Sequence, residues 1–331
     1  MHIQGIGYYA PERIVDNDAL SADLDTSDAW IRSRTGIRTR RLAADNQACS
    51  DLAAEAGKMA IISAGCTPEN ITHIIVGTVS GDAAFPATAC LLQSKLKIPT
   101  AMAFDLGAAC SGFLFGMQVA QGIMAAEPEA TILLVGAETL SRRVNWQDRS
   151  TCVLFGDGAG AVVLKASPDA CMPPGGIFPA LVEGVICEGG GGGELLCCYG
   201  GGTRYPYRHG DIIGPEYFLH MNGQEVFKHA VRAMSDISSR LLKRLGRSVE
   251  DLDLVVPHQA NLRIVKAVLE RLQVPEGKAF LNLDRYGNTS AASIPMALAE
   301  AHIQGVIRPG FRVLLTTFGA GFTWGAALVK Y

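Results

Sequence analysis

The sequence carries little charge and few aromatic side chains. Asp, Glu, Lys and Arg make up 18% of its 331 residues and Phe, Trp and Tyr 7%, while apolar residues make up 48%. That balance excludes intrinsic disorder, which needs low hydrophobicity and high net charge. The net charge is −3, from 29 basic against 32 acidic side chains, so the basic excess of a nucleic-acid binder is absent. There is no CxxC pair, and no cysteine stands at zinc-ligand spacing from a histidine, so no metal is expected. Nine cysteines, an odd count, fit reduced thiols better than a disulfide framework. Met1-His-Ile-Gln-Gly-Ile-Gly lacks the basic and apolar regions of a secretory signal, and a cytoplasmic location is expected. Gly189–Gly193 has no following Lys-Ser/Thr, and Gly156-Asp-Gly-Ala-Gly leads into a strand, so neither reads as a nucleotide loop.

One uncharged run, Leu106–Ala126, is long enough to cross a bilayer. It contains Ser111, Gln118, Gln121 and four glycines, and strand-like segments flank it. A helix uncharged all round is usually the buried centre of a large protein, and no membrane association is expected.

Short β-branched runs alternate with helical patterns, which implies α/β architecture with crossover helices. Strands are expected at 71–78, 101–106, 131–136, 160–165, 252–257, 279–283, 312–317 and 324–330, and helices at 49–63, 111–126, 262–272 and 293–304. The halves are alike: ITHIIVGTVSG parallels LDLVVPHQAN, ATILLVGAETL parallels FRVLLTTFGAG, and FGDGAGAVVLKA parallels GFTWGAALVKY. An internal duplication predicts two similar α/β halves packed together, with the uncharged helix buried between their sheets. The division is expected at 1–170, an irregular glycine-rich connection at 171–220, and 221–331.

Cys110 follows a strand across Gly107-Ala-Ala and opens that helix, where free N–H groups and a partial positive charge favour a thiolate. His258 ends the strand LDLVVP, and Asn288 lies in the turn after AFLNL. Singly, each reads as a cap, turn or core residue. Together they stand past the C-terminal ends of three expected strands, where open α/β sheets gather their ligand sites. Cys with His and Asn suits nucleophilic acyl transfer. Arg32, Arg34, Arg38, Arg40 and Arg41 lie beside Trp30 in a window without acids, either as a solvated face or as a phosphate-binding one.

The motifs Asp28–Ile37, Ala108–Gly112, Phe155–Gly160, Val256–Arg263, Gly287–Ala292 and Gly319–Gly325 occur in an order that resembles the β-ketoacyl-[acyl-carrier-protein] synthase III family over essentially the whole chain. The resemblance implies a duplicated thiolase-like fold in αβαβα layers. It implies a decarboxylative condensation of an acyl-CoA with malonyl-acyl carrier protein, initiating type II fatty-acid synthesis, without a cofactor. Cys110 would be the acylated nucleophile, and His258 and Asn288 would bind the malonyl thioester carbonyl. The N–H groups of Cys110 and Ala320 would form an oxyanion hole. Trp30, Arg34 and Arg149 would hold coenzyme A. Phe318 and Phe85 would shape the acyl pocket, Phe85 from across a homodimer interface. Gln259, Ala260, Asn261, Leu262 and Arg263, with Lys228 and Arg271, would contact the carrier protein. Three features depart from the family pattern: Ala320 replaces a usual glycine, Glu270 replaces an expected lysine, and the glycine-rich stretch 187–214 is long. The alternative is a condensing or acyltransfer enzyme of secondary metabolism on the same scaffold.

Overall fold

The computed structural model describes residues 1–167 and 179–331. Among them nine strands form one sheet: β1 (His2–Tyr9), β2 (His73–Gly77), β3 (Met102–Leu106), β4 (Thr131–Glu138), β5 (Gly158–Lys165), β6 (Ala180–Gly189), β7 (Leu254–Pro257), β8 (Arg312–Gly319) and β9 (Thr323–Lys330). Their order is β7-β8-β9-β6-β1-β5-β4-β2-β3. The helices that pack on it include α1 (Asp28–Thr35), α2 (Cys49–Ser63), α3 (Thr88–Lys95), α4 (Gly112–Ala126), α5 (Gly223–Arg244), α6 (Leu262–Leu272) and α7 (Ser293–Ile303).

The duplication is visible in the pairing. β2 lies parallel to β4, β4 antiparallel to β5, and β5 antiparallel to β1. β7, β8, β9 and β6 repeat that series in the same senses. The halves join where β1 meets β6 at His2↔Leu181 and Ile3↔Ala180, so the ladder is continuous from one half to the other. Residues 279–283, expected as a strand, make only the isolated parallel bridge Val255↔Ala279. The stretch 171–220, expected to be irregular, contributes the ten-residue strand β6, paired along its length with β9. Cys171 lies outside the described residues.

Alternation of side chains sends each strand's apolar residues to two cores. Ile132 and Leu134 of β4 join Val313 and Leu315 of β8 around Phe113, Met117, Ile294 and Leu298 of α4 and α7. Leu133 and Val135 face α2, and Leu314 and Leu328 face α5 and α6. The result is five layers with α4 and α7 in the middle. The stretch 109–126 has the length and hydropathy of a membrane span, yet it packs on β2, β4, β6 and β9 and half of it is buried. Its outer face, with Gln118, Val119 and Gln121, is open in the single chain.

Two caps set the approach to the site. Asn261 Oδ1 accepts from Arg263 N at 2.9 Å and starts α6. Ser27 Oγ accepts from Trp30 N at 3.2 Å and starts α1, which ends on Gly36 at φ 82. An added Cβ at Gly36 would lie 2.7 Å from Leu262 Cβ, so the end of α1 is seated on the beginning of α6.

Candidate active site

Cys110, His258 and Asn288 line one cavity of about 760 Å³, together with Phe318, Ala320, Lys228, Ala260, Asn261 and Arg263. Cys110 and His258 are each delivered by a turn at a strand end, whereas Asn288, expected there too, follows the short helix Leu283–Tyr286. After β3 the chain makes one 3-10 turn, Ala109–Ser111, with Ala109 held at φ 44, and then enters α4. Thr317 Oγ1 donates to the Cys110 carbonyl at 3.0 Å. A Cβ at Gly319 would lie 2.9 Å from the Cys110 nitrogen, so glycine is required at that close approach. The neighbouring Ala320 has no positive φ; that conformation falls on Gly321 at φ 134. Alanine therefore fits at position 320.

His258 follows β7, with its N–H donating to Thr316 O at 2.8 Å. Its Nδ1 is 2.7 Å from Ser293 Oγ, in the first turn of α7. Burial pushes the imidazole down to about 4, so the ring is neutral at pH 7. When the serine hydroxyl donates to Nδ1, the ring proton is on Nε2, which is aimed at the cavity as a donor. Asn288 is anchored by its backbone: its N–H donates to Leu154 O at 2.8 Å and its carbonyl accepts from Gly156 N at 3.0 Å. Its side-chain Oδ1 accepts from Ser290 N at 2.9 Å. Asp157 holds the same segment through Ala43 N and Ser141, so the Phe155–Gly160 motif is scaffolding for Asn288.

The thiol does not follow the sequence expectation. Burial pushes Cys110 up to about 12, and the nearby Glu138 carboxyl adds to the rise, against a lowering hydrogen bond from Ser290. Desolvation outweighs the helix N-terminus, and the resting group is a thiol. Glu138 was not singled out from the sequence. It ends β4 with no exposed surface and accepts from Val79 N at 3.2 Å, Thr78 Oγ1 at 3.3 Å, Ser290 Oγ at 3.0 Å and Ser80 Oγ. Its only sequence signal is an acid closing the apolar run ILLVGA. Leu196, Cys197 and Cys198 of the glycine-rich stretch also line the cavity.

Other expected residues lie outside the cavity lining. Gln259 is 1% exposed; its amide donates to Pro257 O at 2.8 Å and Phe280 O at 3.2 Å and accepts from Asn282 N. It braces the turn after His258 and offers nothing to a partner protein, a correction to the surface role expected for it. Leu262 packs on Gly36, and Arg271 pairs with Asp236 at 3.0 Å. The Arg149 guanidinium lies over the Trp30 ring at 5.2 Å, with Arg34 exposed on the same helix. Phe85 is 86% exposed and does not reach the cavity of its own chain.

Residues 104–173 match the family described as 3-oxoacyl-[acyl-carrier-protein (ACP)] synthase III, and residues 242–331 match its C-terminal counterpart. The β-ketoacyl-[acyl-carrier-protein] synthase III of Nitratidesulfovibrio vulgaris is 53% identical over 329 residues, spanning 99% of this chain and 98% of its own. The solved synthase III of Thermus thermophilus superposes with a TM-score of 0.89 at 41% identity, over 99% of this chain and 98% of the other. A priming β-ketosynthase of a polyketide pathway gives 0.85 at 31% identity, over 99% and 95%. With a buried thiol, a neutral imidazole and an amide gathered at one cavity and this likeness along its whole length, the chain belongs to the β-ketoacyl-[acyl-carrier-protein] synthase III family, enzymes of the acyl-transferring, condensing class.

Proposed function

We propose that Cys110 takes an acyl group from an acyl-CoA and passes it to the enolate of malonyl-acyl carrier protein, initiating fatty-acid synthesis. Cys110 Sγ attacks the acyl carbonyl, the bond to the CoA sulfur breaks, and an acyl-enzyme remains. The N–H groups of Cys110 and Ala320 face the developing oxyanion. The malonyl thioester then enters, carbon dioxide leaves, and the enolate oxygen is held by His258 Nε2 and Asn288 Nδ2. The enolate carbon attacks the acyl-Cys110 carbonyl and expels the thiolate. The observation that carries this reading is that, among the described residues, neither His258 Nε2 nor Asn288 Nδ2 has a hydrogen-bond partner, while the other end of each side chain is fixed. Preorganised donors in a water-poor site are worth roughly 3 kcal/mol each to such an oxyanion.

Trp30 and Arg149 would part to admit the adenine of coenzyme A, with Arg34 beside its phosphates. Lys228 and Arg263 at the cavity wall supply the positive charge that an acidic carrier protein needs, with Ala260, Asn261 and Leu262 between them. A second copy of the chain is the remaining partner. Among the described residues β3 is an edge strand paired only with β2, and Phe85, Met102 and Val119 are apolar side chains left exposed in the single chain. The chemistry runs on the chain's own groups, in the cytoplasm.

Incubation with acetyl-CoA alone is expected to add one acetyl group to Cys110, and malonyl-carrier protein is expected to discharge it as the 3-oxoacyl product with carbon dioxide. An adduct on another cysteine, or none with any acyl-CoA, would overturn the assignment.

A further inference from the structure

The mechanism above leaves open how a thiol buried to this degree loses its proton. His258 is poorly suited: its Nδ1 is committed to Ser293 and its Nε2 proton is needed for the enolate. The Ser290 hydroxyl is different. Ser290 lines the same cavity as Cys110, on a turn packed against the Ala109–Ser111 turn that carries the thiol, and its Oγ donates to Glu138 Oε1 at 3.0 Å. Ser290 is held in the left-handed region at φ 50, a conformation costly for a non-glycine residue and stable only where its surroundings fix it. Two of its fixed contacts are Glu138 through Oγ and Asn288 through N. Glu138 forms no ion pair among the described residues; its charge acts on two buried thiols, Cys110 and Cys49, the latter linked to it through Thr78 and lying against the Ala137 carbonyl.

We propose that Glu138 is the proton acceptor for Cys110, reached through the Ser290 hydroxyl, and that it stores this proton until the nucleophile is released. In the resting state the thiol donates to Ser290 Oγ, and the Ser290 O–H donates to the Glu138 carboxylate. Two protons then shift along the chain: the S–H bond breaks as an O–H bond forms on Ser290, and the former Ser290 proton forms an O–H bond on Glu138. The result is a thiolate that accepts from Ser290 and a neutral carboxyl that donates to it. The buried cluster carries one negative charge throughout, whereas ionising the thiol beside an ionised Glu138 would place two there. During acylation the thiolate's electron pair forms the C–S bond, and CoA leaves as a thiolate that takes its proton from solvent. Glu138 remains neutral through the acyl-enzyme stage. When the enolate expels the Cys110 thiolate, the proton returns along the same path. The family reading of Cys110 as the acylated group is assumed.

The test uses Glu138→Gln, which keeps the size of the side chain but cannot take the proton, and Ser290→Ala, which cuts the relay but keeps the backbone N–H to Asn288. Single-turnover acylation by acetyl-CoA is followed by mass spectrometry from pH 5.5 to 9. For the unmodified protein the rate is expected to rise with pH through about 7, where the buried Glu138 loses its proton. In both variants acylation at neutral pH is expected to fall about 100-fold, with the rise displaced to higher pH. Decarboxylation of malonyl-carrier protein is measured in the Cys110→Ala background, where no thiol proton moves. A loss concentrated in acylation supports the relay, because a structural prop would weaken both reactions alike. Equal losses in the two reactions, or acylation with an unchanged rate and pH profile in both variants, would overturn it. Absence of any adduct on the unmodified protein would instead overturn the assignment of Cys110 and the relay with it.

Discussion

The Ser290 N–H donates to Asn288 Oδ1 at 2.9 Å and so decides which end of the Asn288 amide faces the cavity. With the oxygen occupied, the NH2 group is the end left for substrate. Asn288→Asp is the sharpest probe of this arrangement: the aspartate keeps an oxygen for Ser290 but brings a second acceptor where a donor is needed. Carbon dioxide release from malonyl-carrier protein is expected to fall by about 100-fold or more. A normal rate would make Asn288 a turn residue only.

Removing the thiol separates the two half-reactions. Cys110→Ala is expected to form no acyl-enzyme and no condensation product, yet still to release carbon dioxide from malonyl-carrier protein, because His258 and Asn288 are untouched. Loss of both activities in a folded variant would refute that division of labour.

Glu138 and His258 act on stability in opposite directions. Burial pushes Glu138 from 4.5 up to about 7, so its proton is bound more tightly in the folded chain. Its contribution is complete below pH 4.5 and is lost as the pH climbs through about 7. Burial pushes His258 from 6.5 down to about 4, so its contribution is complete above pH 6.5 and is lost as the pH falls through about 4. Between pH 4.5 and 6.5 the two offset each other. Glu138→Gln removes the first, and its stability relative to the unmodified protein is expected to improve by roughly 3 kcal/mol between pH 4.5 and pH 8. Denaturant melts at the two pH values measure this, and a difference that does not change with pH would show that Glu138 titrates normally.

Gly136 lies in β4 opposite the turn that carries Asn288 and Ser290, and a Cβ there would overlap the Ala291 carbonyl. Gly136→Ala is expected to cost about 1–3 kcal/mol of stability, the usual penalty of overpacking, and to slow decarboxylation by displacing that turn. Unchanged melting and turnover would mean that the turn moves aside freely.

At the open edge, Met102 is 59% exposed at the start of β3. Met102→Asp is expected to convert a dimer into a monomer in sedimentation at micromolar concentration. A monomeric unmodified protein with full activity would remove the role proposed for Phe85.

Much of this was legible from the chain. The helix 262–272 could be read to the residue because Asn261 marks its start and its apolar residues keep helical spacing. That Cys110, His258 and Asn288 share one cavity could be read because each follows a strand-like run in the sequence. β6 was missed because Gly184 and Gly189 and the glycines beyond it carry turn signals that tertiary pairing with β9 overrides. Residues 279–283 alternate like a strand but find one bridge, since Asn282 starts a helical turn at Leu283. Gln259 looked like a surface residue because its three hydrogen bonds go to Pro257, Phe280 and Asn282, partners that only the folded turn supplies. Glu138 escaped notice because its partners, Thr78, Ser80 and Ser290, come from two distant segments.

The position of β1 has a consequence for synthesis. It lies between β5 and β6, and the Met1 carbonyl accepts from Val182 N at 3.0 Å. During synthesis β1 therefore cannot complete its ladder until residues 180–182 have followed it out. Until then one face of its hydrogen bonding stays open, as on any unpaired strand edge. Chaperones that bind nascent chains would find Ile3 and Ile6 there in that interval, although in the finished molecule both are almost inaccessible.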